Sequence, residues 1–146
     1  IMSSDWSSDV CSSDLDALSL VNTYPGMAID LERRRPVLAK NFGGLSGPAI
    51  KPLAQRVVCT AHRALREEGF ETGIIGMGGI STGRDALEYM IAGANAISLG
   101  TVNFTNPLAY ETVLNQMEAL MRRRFTDTSN EADLSVRLWT GQLELN

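Results

Sequence analysis

Short apolar runs along this chain end at glycine or hydroxyl pairs, and segments of helical period follow them. The first run, residues 17–21, has strand length and stops at the polar pair Asn22 and Thr23. Residues 24–39 place Pro25-Gly26 and Pro36 among short apolar pieces, which predicts a hairpin-like excursion. A glycine-rich turn, 43–47, comes next. Pro48 and Pro52 keep the chain extended up to Lys51, and Pro52 suits the first position of a helix. Leu53, Val57, Val58, Ala61 and Leu65 share one face of that helix, and Gly69 is its expected cap.

The second run, residues 73–77, leads directly into Gly78-Gly79. Thr82 and Asp85 have the spacing of a capping box; Ala86, Leu87, Met90 and Ile91 supply an apolar face, and Gly93 ends the helix. A third strand is predicted over 94–99, closed by Gly100-Thr101. Asn106-Pro107 opens a third helix with Leu108, Val113, Leu114, Met117, Leu120 and Met121 on its apolar face. Beyond Phe125 the chain turns polar, with a short helix predicted around 134–139.

Three strand-then-helix units in succession predict an α/β fold, a parallel sheet with helices packed outside it. Functional groups then belong at the carboxyl ends of the strands, where Asn22-Thr23, Gly78-Gly79 and Gly100-Thr101 stand. In an eight-stranded β/α barrel the loops after the last two strands commonly hold a phosphate, and two consecutive glycine-ended strands match that arrangement.

Composition narrows the function classes. The 146 residues are 44% hydrophobic and 21% charged, with a formal charge of −4. Mild acidity argues against nucleic-acid binding by bulk charge, and the two Arg triplets, 33–35 and 122–124, read as solvated faces. No apolar run approaches the roughly 20 residues of a membrane span, so no membrane partner is expected and the cytoplasm is the default location. Cys11 and Cys59 lack metal-ligand spacing, and no metal is expected. Residues 1–15 repeat Ser-Ser-Asp with single apolar inserts and have no helical or strand period. They resemble translated sequencing-adapter read-through, a non-native-looking tail, and Cys11 is left out of any chemistry. The expected division is therefore 1–15 as a tail, 16–124 as the βα units and 125–146 as a polar tail.

The stretch 73–83 carries the most chemistry. Gly78 and Gly79 lack a Cβ, so their N–H groups can approach an anion closely, and the helix that follows aims its positive dipole end the same way. A tight strand-to-helix turn with no ligand explains the same glycines, and the residues alone leave both open. The dinucleotide fingerprint G-x-G-x-x-G is not met, because Gly76 and Gly78 are followed by Ser81.

Taken together, LVNT at 20–23, GMAID at 26–30, GGLSGPAIKP at 43–52, GMGGI at 76–80 and GTVNF at 100–104 resemble the C-terminal part of dihydroorotate dehydrogenase, closest to the class 1B catalytic subunit. The likeness runs in order from about Asp16 to Leu120. It implies the last three or so βα units of an FMN-binding TIM (β/α)8 barrel, with FMN as cofactor and flavin-dependent oxidation of dihydroorotate to orotate in pyrimidine biosynthesis as activity. By the same resemblance, Asn22 and Thr23 match substrate-binding positions. An Asn amide offers donors and an acceptor on one edge, complementary to an imide or lactam. Val21 and Gly47 match positions lining the flavin, and Gly78, Gly79, Gly100 and Thr101 match its phosphate site. Lys51 lies within the motif but is expected to be a surface lysine at the helix start.

The family's cysteine base takes a proton from one ring carbon while hydride leaves the neighbouring one for flavin N5. That base lies in the earlier half of the barrel, so this piece is expected to lack it and to be inactive alone. Cys59 and His62 are expected to be packing residues of their helix. Class 1B also implies an iron–sulfur and FAD subunit that passes electrons to NAD, and a homo-oligomeric parent. The alternatives are another FMN-barrel oxidoreductase, such as a dihydropyrimidine dehydrogenase-like enzyme, or a non-catalytic phosphate-binding fragment.

Overall fold

The structure, a computed structural model, describes residues 15–125. The Ser-Ser-Asp repeat and the helix expected near residue 136 lie outside them. Three parallel strands form the main sheet: β1 (Ala17–Leu20), then the central β6 (Gly73–Met77), then β7 (Ala96–Ser98). Leu18 pairs with Ile74 and Leu20 with Gly76, while Gly76 pairs in turn with Ile97. Between β1 and β6 the chain makes an excursion of two small antiparallel pairs that runs on past residue 39, so that residues 43–45, expected as a turn, form a strand. β2 (Tyr24–Gly26) lies against β5 (Gly43–Leu45), and β3 (Ile29–Asp30) lies against β4 (Arg35–Pro36). The excursion holds Ile29, Leu31, Val37 and Phe42 in solvent.

A 3-10 turn, Pro48–Ile50, leads into α1 (Lys51–Glu67); α2 (Gly83–Ile91) follows β6, and α3 (Val102–Thr105) and α4 (Ala109–Phe125) follow β7. Gly69, at φ 76°, ends α1 as expected, where the Phe70 N–H reaches back to the Leu65 carbonyl. Gly93, at φ 116°, ends α2. The core lies between one face of the sheet and the helices, with Leu20, Val58, Ile74, Ala86, Tyr89, Ala94, Val113 and Met117 buried in it.

Three expectations change. Leu53 is 48% exposed, and the face of α1 that packs is built on Ala54 and Val58, both fully buried. Leu108, just before α4, and Leu114 and Leu120 on it face solvent, while Ala109, Val113 and Met117 are buried. Apolar periodicity fixes a stripe only to within a residue, so it does not decide which of two adjacent apolar residues is buried. The third strand is shorter than 94–99, since Ala94 turns under the sheet beside Gly76, and the short helix α3 was not expected.

Candidate active site

The carboxyl ends of β1, β6 and β7 open onto one cavity of about 610 Å³. Asn22, Thr23 and Val21 reach it from the end of β1, Gly47 from the loop before α1, Gly78 and Gly79 from the end of β6, and Gly100 and Thr101 from the end of β7. All eight residues singled out in the sequence therefore border the same space. The parallel sheet accounts for this convergence, because each strand delivers its last residues to the same edge.

No lining residue carries a charged or titratable side chain; the polar groups are hydroxyls, the Asn22 amide and backbone. Among the described residues, no protein acceptor meets the backbone N–H of Gly79, Ile80, Gly100 or Thr101, nor the Thr101 hydroxyl. Unpaired donors beside an uncharged cavity suit an anionic oxygen cluster. On the β1 side, Asn22 accepts the Thr23 N–H at 2.7 Å through Oδ1, and its Nδ2 has no acceptor among the described residues. Its amide therefore presents mainly donors to a ligand.

The glycines serve the protein before any ligand. Gly78 and Gly79 have φ 126° and 70°. A Cβ on Gly79 would stand 2.7 Å from the Gly47 carbonyl and 3.1 Å from the Lys51 nitrogen, so the β6 turn packs directly on the loop before α1. Gly47, at φ 82°, is buried within that contact. Gly44 gives way to the Thr23 side chain in the same manner. At Gly100, by contrast, a Cβ would meet no protein atom within 4 Å. Its lack of a side chain is not explained by packing.

The start of α2 departs from expectation. The capping box of Thr82 and Asp85 is present, but Asp85 Oδ2 accepts from the Ser81 N–H at 3.0 Å, the Thr82 N–H at 2.9 Å and both of their hydroxyls. The Gly83 N–H donates to Gln116 Oε1 at 2.8 Å. The N–H groups of Thr82, Gly83, Asp85 and Ala86 at this helix start thus meet protein acceptors, and the cavity-lining donors left open are those of Gly79 and Ile80 just before it. Burial alone raises the Asp85 carboxyl, but the Lys51 ammonium and the Ser81 and Thr82 donors outweigh it and hold it at about 2.

Lys51 lies outside the cavity and is no free surface lysine: Nζ donates to Asp85 Oδ1 at 2.6 Å and to Glu88 Oε2 at 2.9 Å. These two carboxylates raise its pKa. Tyr89 carried no signal in the apolar pattern, yet it is fully buried, lies across Gly76 and donates to the Gly78 carbonyl at 2.6 Å. Its position three residues after Ala86 on the same stripe was the available cue. Cys59 is half-buried against the core, and His62 packs on Gly93; neither borders the cavity.

The parallel α/β sheet gathers glycine turns, unpaired N–H groups and an amide at one edge, around a cavity of the size small-molecule sites have. The family model for dihydroorotate dehydrogenase matches residues 4–121, and the chain belongs to that family. The catalytic subunit of dihydroorotate dehydrogenase B (NAD(+)) from Citrifermentans bemidjiense is 56% identical over 103 residues, covering 70% of this chain and 32% of the relative. The corresponding subunit from Geotalea uraniireducens is 53% identical over 106 residues (73% and 33%), and that from Geobacter metallireducens 50% over 115 residues (78% and 36%). The chain spans about a third of the length of the curated relatives it matches. Among the described residues no helix is long and apolar enough to cross a membrane.

Proposed function

We propose that this chain forms the phosphate end and one substrate edge of an FMN site in a dihydroorotate dehydrogenase, within a β/α barrel of which residues 16–124 are the last βα units. The activity is oxidation of dihydroorotate to orotate in pyrimidine biosynthesis. The observation that carries the reading is the convergence of three strand ends on one uncharged cavity with four unpaired backbone N–H groups.

The donor set fits the cofactor. The Gly79, Ile80, Gly100 and Thr101 N–H groups and the Thr101 hydroxyl would hold the phosphate, while Val21 and Gly47 border the space for the flat ring. When bound, FMN supplies the hydride acceptor. Asn22 offers its Nδ2 donors to a pyrimidine carbonyl, and Thr23, fixed against Gly44, stands beside it. With no titratable side chain lining the cavity, proton abstraction falls to a group outside the described residues, and we propose that the chain alone does not turn over substrate. The relatives' names specify NAD(+) and a catalytic subunit. By that likeness electrons pass on to NAD through a partner subunit, and the exposed apolar excursion at Ile29, Leu31 and Phe42 suits a larger assembly.

Titration of the chain with FMN, riboflavin and inorganic phosphate, followed by flavin fluorescence, tests this reading. FMN is expected to bind more tightly than riboflavin, phosphate to compete, and orotate to perturb the bound flavin spectrum in the unaltered chain but not in Asn22→Ala. Equal affinity for FMN and riboflavin would overturn the phosphate assignment.

A further inference from the structure

We propose that Asp85 and Lys51, which lie outside the cavity, are positioning residues of the anion site: Asp85 shapes the turn that presents its N–H groups, and Lys51 cancels the charge this introduces. The inference rests on the phosphate reading given above.

Asp85 is buried and receives donors from two sides. Its Oδ2 gathers the N–H and hydroxyl groups of Ser81 and Thr82, at 2.8 to 3.1 Å, and its Oδ1 faces Lys51. Residues 81 and 82 are thereby fixed in the direction that leaves the preceding Gly79 and Ile80 N–H groups without a protein partner at the cavity wall. The Ser81 hydroxyl lines the cavity but has already committed its proton to Asp85, so it offers a ligand only an acceptor. Backbone donors consequently carry the recognition.

A carboxylate that accepts the Ser81 N–H, next in the chain to Ile80, would repel a phosphate held by the Ile80 N–H. Lys51 answers this from the start of α1, 2.6 Å from Oδ1, and it also meets Glu88, which takes a donor from Gln55 and a second cation, Arg84, at 3.4 Å, so that two cations balance the two carboxylates. The same Lys51 backbone nitrogen is one of the atoms on which Gly79 packs. One residue therefore both abuts the anion turn through its main chain and neutralises the turn's organiser through its side chain.

Charge and geometry predict opposite signs for D85N. The substitution removes a negative charge, which by electrostatics alone tightens an anion. It also puts an amide donor where acceptors are required, which loosens the turn. The experiment measures dissociation constants of the 146-residue chain for FMN, riboflavin and inorganic phosphate in the unaltered protein, D85N and K51M. We expect D85N to weaken FMN and phosphate about tenfold and riboflavin less than about twofold. K51M, which leaves every cap hydrogen bond in place, is expected to weaken FMN and phosphate about fivefold, the loss shrinking as salt rises, with riboflavin unchanged. Tighter or unchanged FMN binding in both variants, or equal losses for FMN and riboflavin, overturns the positioning role. Should D85N fail to fold, K51M decides by the same criteria. If the unaltered chain itself does not distinguish FMN from riboflavin, the phosphate reading fails first and takes this inference with it.

Discussion

The Tyr89 hydroxyl donates to the Gly78 carbonyl at 2.6 Å from a fully buried ring. A side chain of α2 thus holds the first residue of the turn that follows β6, and Gly76 exists in the strand to let that ring through, since a Cβ there would stand 2.6 Å from Tyr89 Cδ1. Tyr89→Phe keeps the ring and strands the carbonyl. Urea denaturation is expected to show a loss of about 1 kcal/mol, the contribution of one part-buried hydrogen bond. Stability equal to the unaltered chain would mean that water replaces the hydroxyl.

Glycines 79 and 100 are expected to separate packing from binding. Gly79→Ala meets the Gly47 carbonyl at positive φ and should lose about 1–3 kcal/mol of stability. Gly100→Ala projects into open space and should leave the melting transition unmoved while weakening FMN, because its methyl enters the space near two unpaired N–H groups. Unchanged FMN affinity in Gly100→Ala would remove this residue from the site.

Stability should fall in acid through Asp85. Its carboxyl has an ordinary value of 3.8 and is held at about 2 in the fold. A depressed folded pKa contributes stability that is fully present above 3.8 and is lost as pH falls through about 2, here on the order of 2 kcal/mol. Lys51 works in the opposite sense: its raised pKa contributes stability present below 10.5 and lost as pH climbs past that value. Denaturant melts between pH 2 and 6 should show a steeper acid loss in the unaltered chain than in D85N.

The register of α4 can be checked with adjacent residues. Val113 is buried against the core and Leu114 is 59% exposed. Val113→Ala should cost about 2 kcal/mol, whereas Leu114→Ala should stay within about 0.5 kcal/mol. Comparable losses at both would place the helix in a different rotation.

The sequence by itself determined the three strand-then-helix units, their parallel sheet and the residues at its carboxyl edge, but not the short helix α3 or the strand at 43–45. Strand runs, glycine ends and the Thr82–Asp85 capping box are all local signals, and each depends on residues within a few positions of one another. Among the residues that border the cavity, Asn22, Thr23, Gly78, Gly79, Gly100 and Thr101 were legible as strand ends for the same reason, whereas Val21 and Gly47 were marked by the family resemblance.

Only the tertiary structure decided what lies between those ends. Whether the α2 terminus was open to an anion depended on Asp85 folding back onto Ser81 and Thr82 and on Gln116, 33 residues away, reaching Gly83. Whether Lys51 was free depended on α1 and α2 meeting side by side, and the place of Tyr89 on a gap at Gly76 in another element. These are contacts between segments far apart in the chain, and a periodic pattern specifies a face without specifying what will be pressed against it.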